Sequence, residues 1–140
     1  MAALAAATPR DYEGESIFNH LPVKSGVTVY QGGAYAIEIA TGKVYVPVGN
    51  TANERFVGFA DETVVGDGTT RVRLRAECMP VLSVTGVGGD DDVGAVVYAT
   101  TDGDYSLTDS GSDLPIGVVH RHVSGTTCVV AARARSLGAA

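Results

Sequence analysis

The feature that most constrains the fold of this chain is an internal repeat. Four short segments recur in the same order in the two halves of the sequence. The matched pairs are residues 33–37 with 94–98, 41–45 with 102–106, 56–60 with 115–119, and 68–74 with 125–131. The separation between partners falls from 61 to 59 to 57 residues, and each change falls between matched segments, where loops accept insertions. The pattern therefore predicts two diverged tandem copies of one structural unit.

The matched segments have the pattern of short strands joined by glycine turns. From residue 15 onward, apolar and polar residues alternate or form β-branched runs, and no stretch of ten or more residues keeps a helical apolar stripe. Strands are predicted at residues 16–21, 27–30, 35–40, 43–46, 56–60, 71–76, 81–85, 95–100, 105–108, 116–123 and 128–132. One such unit cannot bury its apolar face alone. We expect an all-β fold, a compact β-barrel or β-sandwich of both units with an N-terminal arm.

The domain organisation follows from the same pattern. Residues 1–25 are predicted to be an N-terminal arm, of which residues 1–14 have no sustained periodicity. Residues 26–140 are predicted to form a single β domain, with repeat units at about 33–75 and 94–133 and a join at 76–93. The apolar start lacks the basic segment of an export signal, and no window approaches the ~18 apolar residues of a membrane span. No membrane partner is expected.

Charge and cysteine content narrow the function. The net charge of −6 argues against nucleic acid as a partner, because such binders need a basic surface. Cys78 and Cys128 do not make a disulfide framework and are predicted to be small buried side chains. The chain has no phosphate-binding glycine loop, no nucleophile elbow and no zinc-protease motif. We therefore expect a protein that is not an enzyme and holds no cofactor.

Three arginines on one predicted strand are candidates for partner binding. Arg71, Arg73 and Arg75 alternate with apolar residues, so their side chains point from one face. One interpretation is a contact stripe for an acidic partner; the other, which we favour, is a solvated face balanced by Glu38, Asp61 or Glu62. In the second repeat the equivalent positions are apolar, which predicts a strand buried on both faces, with a subunit contact as one explanation. These positions are Cys128, Val130 and Ala132.

Other polar clusters have weaker patterns. His120 and His122 share a strand face, but a zinc site needs further ligands and only His20 remains. The tract at residues 90–92 and the acidic residues after it miss the calcium-loop spacing and are interpreted as solvated turns. Residues 109–111 match the Asp-Ser-Gly loop of aspartic proteases, but the polar flanking sequence does not fit that loop. No metal is expected.

Several motifs resemble those of the capsid decoration, or cement, proteins of tailed phages. Residues 94–98 with 102–108, then the Pro-Ile-Gly-Val-Val segment at 115–119 and the valine-rich strand at 125–130, are similar to the C-terminal half of that family. Residues 41–48 and 56–60 are similar to its N-terminal half. The resemblance covers most of residues 26–132 and rests on short motifs.

The resemblance implies a structural virion protein that is made in the host bacterial cytoplasm. It would bind the outer capsid surface and stabilise the shell by bridging major capsid subunits, commonly as a homotrimer. The arm would dock on the capsid, and Ser16, Ile17 and Phe18 have the residue types for adding a strand to a partner's sheet. The alternative is a β-domain binding module that recognises a glycan or a cell-surface protein. The low aromatic content disfavours a glycan site.

Overall fold

The computed structural model describes residues 3–138 and is built of strands. The strands are β1 (Tyr12–Pro22), β2 (Thr28–Val29), β3 (Ala34–Glu38), β4 (Lys43–Tyr45), β5 (Glu54–Ala60), β6 (Val64–Val65), β7 (Arg71–Ser83), β8 (Val96–Ala99), β9 (Tyr105–Ser106), β10 (Leu114–Ser124) and β11 (Thr127–Arg133). Within the described residues, the helical structure is limited to two three-residue 3₁₀ turns, Asp90–Asp92 and Arg135–Leu137. The all-β prediction is confirmed.

Nine of the strands form one antiparallel sheet. Its order is β4-β3-β5-β7-β11-β10-β8-β9, with β1 paired to β7 off this path, while β2 and β6 make a separate ribbon. The sheet does not close on itself, and its two halves pack in a sandwich-like body. Of the two architectures expected, the sandwich is the one observed. Read inward, the strands follow in equivalent order, β4-β3-β5-β7 from one end and β9-β8-β10-β11 from the other. This is the order expected when two copies of one unit join side by side.

The central strand β7 belongs to both halves of the sheet. Along one side it pairs with β1, and along the other it pairs first with β5 and then with β11. We name β1, β3, β4, β5 and the start of β7 the first unit, and the rest of β7 with β8 to β11 the second unit. Strands predicted separately at 71–76 and 81–85 are thus one continuous strand.

Backbone hydrogen bonds fix the equivalence of the two units. Gly32 donates its N–H to Ala60, and Gly94 donates its N–H to Val119, at 2.9 and 2.8 Å. Both glycines have φ near +90°, a conformation that side chains rarely adopt. The structural partner of Gly94 is therefore Gly32, one residue before the Gly33 that the sequence match indicates.

The repeat also begins earlier than the sequence match indicates. Leu21 in β1 lies opposite Val72, and Leu82 in β7 lies opposite Cys128, so β1 has the place in the first unit that the end of β7 has in the second. Residues 12–22 are thus a strand of the chain's own sheet. The predicted arm of residues 1–25 contains this strand, and only residues 3–11 of its described part precede the sheet.

Two apolar clusters make up the core. The smaller lies within the first unit and includes Tyr35, Val57 and Leu74. The larger joins the two units, because Phe59 of the first unit packs with Tyr105 of the second at 6.0 Å between ring centroids. Burial of both clusters is the main source of stability.

A buried carboxylate fastens the N-terminal segment to both units. Asp102, which is 1% exposed, accepts hydrogen bonds from the Leu4 N–H at 2.9 Å and from the Tyr35 hydroxyl at 2.6 Å. Its backbone carbonyl accepts from the Ala34 N–H and the Tyr105 hydroxyl. We call residues 3–11, which lead from this point to β1, the N-terminal strap.

The buried tyrosines make stability fall at high pH. Burial and then the hydrogen bond to Asp102 raise the pKa of Tyr35 well above its ordinary value, and burial raises the pKa of Tyr105. Both phenols stay protonated in the folded chain above about pH 10, where the unfolded chain releases those protons. Stability present below about pH 10 is therefore lost above it, by about 1.4 kcal/mol per pH unit for each phenol. We expect urea midpoints to fall between about pH 10 and pH 11; equal midpoints would contradict this.

Candidate partner-binding surface

The six candidate residues of the sequence all lie on the ribbon that β1 forms with β7. Phe18 lies opposite Arg75, and His20 lies opposite Arg73. Arg75 Nη1 donates to Ser16 Oγ at 2.7 Å, so the structure brings the strand and the arginines together. Whether a partner binds there stays a prediction.

The outer edge of β1 is free along most of its length. Within residues 3–138 the pairing partners of this eleven-residue strand all lie in β7, and its other edge meets another strand only where Val23, just past its end, bridges to Val44 of β4. Its pairing register shifts on both sides of Ile17. Bulges of this kind bend and twist an edge strand. The irregular edge is long enough to accept one strand of another protein.

Two apolar side chains project beside that edge. Ile17 is 50% exposed and Phe18 is 44% exposed. Elsewhere the chain buries its phenylalanines, since Phe56 and Phe59 are at most 1% exposed. An exposed pair of large apolar residues next to an unpaired edge is the combination found where sheets meet other proteins.

An arginine–aromatic cluster supports Phe18 from below. The guanidinium groups of Arg73 and Arg75 lie 5.2 and 5.1 Å from the centre of the Phe18 ring, and Arg75 lies 4.2 Å from the centre of the Tyr12 ring. Such cation–π contacts stabilise a ring that is otherwise half in water. The cluster consists of Tyr12, Phe18, Asp61, Arg73 and Arg75.

Asp61 neutralises one of the two positive charges of this cluster. Its carboxylate forms ion pairs with Arg73 and with Arg75, the latter at 2.7 Å. Glu38, also considered for this role, instead pairs with Lys24 at 2.9 Å. The favoured interpretation of the stripe, a face balanced by nearby acids, agrees with these contacts. The cluster therefore keeps one net positive charge beside its two aromatic rings.

Arg71 lies apart from the cluster. Its guanidinium donates to the backbone carbonyl of His20 at 3.1 Å, which ties the end of β1 to the start of β7. In the second unit the strand equivalent to the arginine stripe is buried: Cys128, Val129 and Val130 are all 0% exposed. The predicted burial of both faces is observed in this part of β11.

The side chains of the remaining polar clusters contact backbone groups of the turns in which they lie. His122 lies 3.0 Å from the Gly125 carbonyl, Asp92 accepts from the backbone of Gly88 and Gly89, and Asp109 accepts from the backbone of Gly111 and Asp113. No group of three possible metal ligands occurs among the described residues. Each of these turns is thus explained by local hydrogen bonds.

A second surface was not indicated by the sequence. A groove of about 780 Å³ lies between the outer face of the second unit and β5 of the first unit, whose Arg55 and Phe56 line it. The floor of this groove is formed partly by apolar residues that the fold leaves open, and we call these four residues the open face: Val96, Tyr98, Pro115 and Val118. Val96 lies opposite Val118 across the β8–β10 pair. Comparison of this face with the first unit would have revealed it, because the equivalent residues there are buried.

Comparisons with known proteins add no relative. No protein-family model, no curated protein and no solved structure matches the chain. None of the helical segments in residues 3–138 is long and apolar enough to cross a membrane. Function must therefore be argued from the two surfaces.

Proposed function

We propose that this protein is a non-enzymatic structural protein of a phage virion that binds the outer surface of the capsid and bridges major capsid subunits. The observation that carries the proposal is the free edge of β1 with Ile17 and Phe18 exposed beside it. The resemblance of several motifs to those of decoration proteins is the reason for proposing a major capsid protein as the partner. Neither nucleic acid nor membrane is part of this function.

The surface suits a lattice of identical partners. A strand from the capsid would pair with the β1 backbone, and Ile17 and Phe18 would enter apolar depressions beside it. Each contact needs only modest affinity, because a protein that bridges neighbouring subunits is held by several contacts at once. The net charge of −6 keeps the protein away from DNA while it searches for the shell.

Binding to empty heads tests the proposal directly. Purified protein is mixed with expanded, undecorated heads of its own phage, and the bound copies per shell are counted after sedimentation. Saturation at a fixed number of copies is the expected result. Absence of saturable binding, or capture by host glycans or cells in place of heads, would overturn the proposal and favour a cell-surface binding module.

Replacing the two exposed apolar residues should abolish most of this binding. We expect the double variant Ile17→Ser, Phe18→Ser to bind heads at least about 100-fold more weakly, since central apolar anchors carry most of the energy of an interface. The matched control is Val65→Ser, because Val65 is 71% exposed on the separate β2–β6 ribbon. Equal affinity of the double variant and the control would show that the β1 edge is not the contact.

A further inference from the structure

The open face of the second unit corresponds to a face of the first unit that is fully covered. The backbone bonds that match Gly32 with Gly94 also match Ala34 with Val96, and those of Ala60 and Val119 match Phe59 with Val118. Ala34 and Phe59 are 0% exposed, whereas Val96 is 41% and Val118 is 38% exposed. The same apolar face is buried in one unit and bare in the other.

Within the chain, the second unit does the covering. The hairpin between β8 and β9 lies over the first unit: the carbonyl of Asp102 accepts from the Ala34 N–H at 3.0 Å, and the Tyr105 ring packs on Phe59. One unit thus places its sheet face against the hairpin of the next unit. This is a head-to-tail relation, in which two different surfaces meet.

The hairpin that would cover the open face is present and exposed in the first unit. By the strand register, Thr100 corresponds to Glu38, so the turn at residues 39–42 takes the place of the turn that holds Asp102, and Ile39 in that turn is 42% exposed. If the two units keep their observed positions, the β3–β4 hairpin of a chain cannot contact the open face of the same chain. The two units already pack against each other through different surfaces. The two surfaces are therefore available to different copies.

We propose that the open face is a docking site for a second copy of this chain, which inserts its β3–β4 hairpin with Ile39 over Val96 and Val118. The groove is continuous with the existing interface between units, since Phe56 and Ile116 line it and also belong to the larger core cluster. Its charged lining residues are balanced, since three are acidic and three are basic, so an apolar hairpin turn meets no net charge there: Glu54, Asp109, Asp113, Arg55, Arg133 and Arg135.

The contact repeats from copy to copy. Because the two surfaces differ, each copy both gives a hairpin and receives one, so the assembly closes into a ring when the rotation permits. Self-association by this face is independent of the capsid contact on β1. The two proposals can fail separately, one in a mass measurement without heads and the other in the head-binding assay.

Two single substitutions and their mixture test the arrangement. Light scattering is expected to show a discrete oligomer for the wild-type chain. The variants Val118→Asp and Ile39→Asp should each raise the dissociation constant of self-association more than about 100-fold, so each should be monomeric. The control is Val123→Asp, since Val123 lies on the same strand and is 45% exposed but does not line the groove. If Val118→Asp does not fold, Val96→Asp replaces it.

Mixing the two monomeric variants distinguishes the head-to-tail contact from any symmetric one. The Val118→Asp copy keeps its hairpin and the Ile39→Asp copy keeps its open face, so the mixture should form a dimer and nothing larger. A monomeric wild-type chain, an unchanged oligomer of the Val118→Asp and Val96→Asp variants, or a mixture that stays monomeric would each overturn the proposal.

Discussion

Gly117→Ala is expected to destabilise the fold by about 3 kcal/mol or more, because the added methyl group would overlap the backbone of the neighbouring strand. A Cβ at Gly117 would lie 2.0 Å from the Ala131 carbonyl oxygen and 2.8 Å from its carbonyl carbon. These are backbone atoms of the neighbouring strand, so no side-chain rotation can relieve the contact. Urea unfolding followed by circular dichroism measures the loss; accumulation of the variant as insoluble chain is the same result in stronger form.

The repeat supplies a second test position and a control. Gly58, the partner of Gly117 in the first unit, would place a Cβ 2.5 Å from the Arg75 carbonyl oxygen and has φ +136°. Gly58→Ala should therefore be destabilising as well. Gly88→Ala, where a Cβ meets nothing within 4 Å, should stay within about 0.5 kcal/mol of the wild type. If Gly117→Ala is as mild as Gly88→Ala, the close strand approach is wrong.

Asp102→Ala is expected to reduce stability by about 2–4 kcal/mol, because it removes the acceptor of two hydrogen bonds in a buried place. The Tyr35 hydroxyl, at 2.6 Å, and the Leu4 N–H, at 2.9 Å, would both lose their acceptor. Tyr35 is 0% exposed, so water cannot readily replace the carboxylate. The expected change includes release of the N-terminal strap, which proteolysis within residues 3–11 would detect.

A double-mutant cycle separates this network from simple cavity formation. Tyr35→Phe removes the hydroxyl alone, and the coupling between Tyr35→Phe and Asp102→Ala should exceed about 1 kcal/mol. The matched comparison is Tyr45→Phe, since Tyr45 donates to Glu54 at 2.7 Å in a separate buried pair. Tyr45→Phe combined with Asp102→Ala should be additive. Additivity of the Tyr35 pair as well would refute a shared network.

The sequence predicts the strands well where apolar and polar residues alternate without a break. It predicts them less well where the type of one residue disfavours a strand that long-range pairing stabilises. Pro80 lacks an N–H and predicts a break, yet β7 runs through it, opposite Tyr12 of β1. The strand continues because β1 pairs with it as far as Pro80 and β11 pairs with it on the other side from Glu77 to Ser83. Such support is long-range and leaves no mark on the local residues. The ribbon strand β6, only two residues long, was not predicted for the same reason.

The alignment of the repeat shows a similar limit. Gly32 and Gly33 are adjacent, and residue type alone cannot tell which of them matches Gly94; the backbone hydrogen bond and the positive φ of Gly32 decide. A signal for the earlier start of the repeat was present, because Leu21-Pro22-Val23 before a glycine resembles Leu82-Ser83-Val84 before another. Reading that match would have assigned residues 12–22 to the body of the protein.

The candidate surfaces differ in how far residue patterns could reach them. The alternation of Arg71, Arg73 and Arg75 was visible, but their association with Phe18 depends on the pairing of β1 with β7 across about fifty residues. The open face could not be predicted at all from its own residues. Val96 and Val118 have the pattern of ordinary core residues, and only the fold shows that they stay 41% and 38% exposed.

The shared strand β7 makes this protein indivisible although its plan is modular. Cutting the chain at the boundary between the units would split one continuous backbone, and each fragment would lose a neighbour that the other carries. Adding a repeat unit is easier than separating the two that exist. A further unit could begin where the last strand is extended, as the second unit begins where β7 continues from the first. The architecture therefore permits chains with additional repeat units, but a chain that holds one unit alone would not keep this fold.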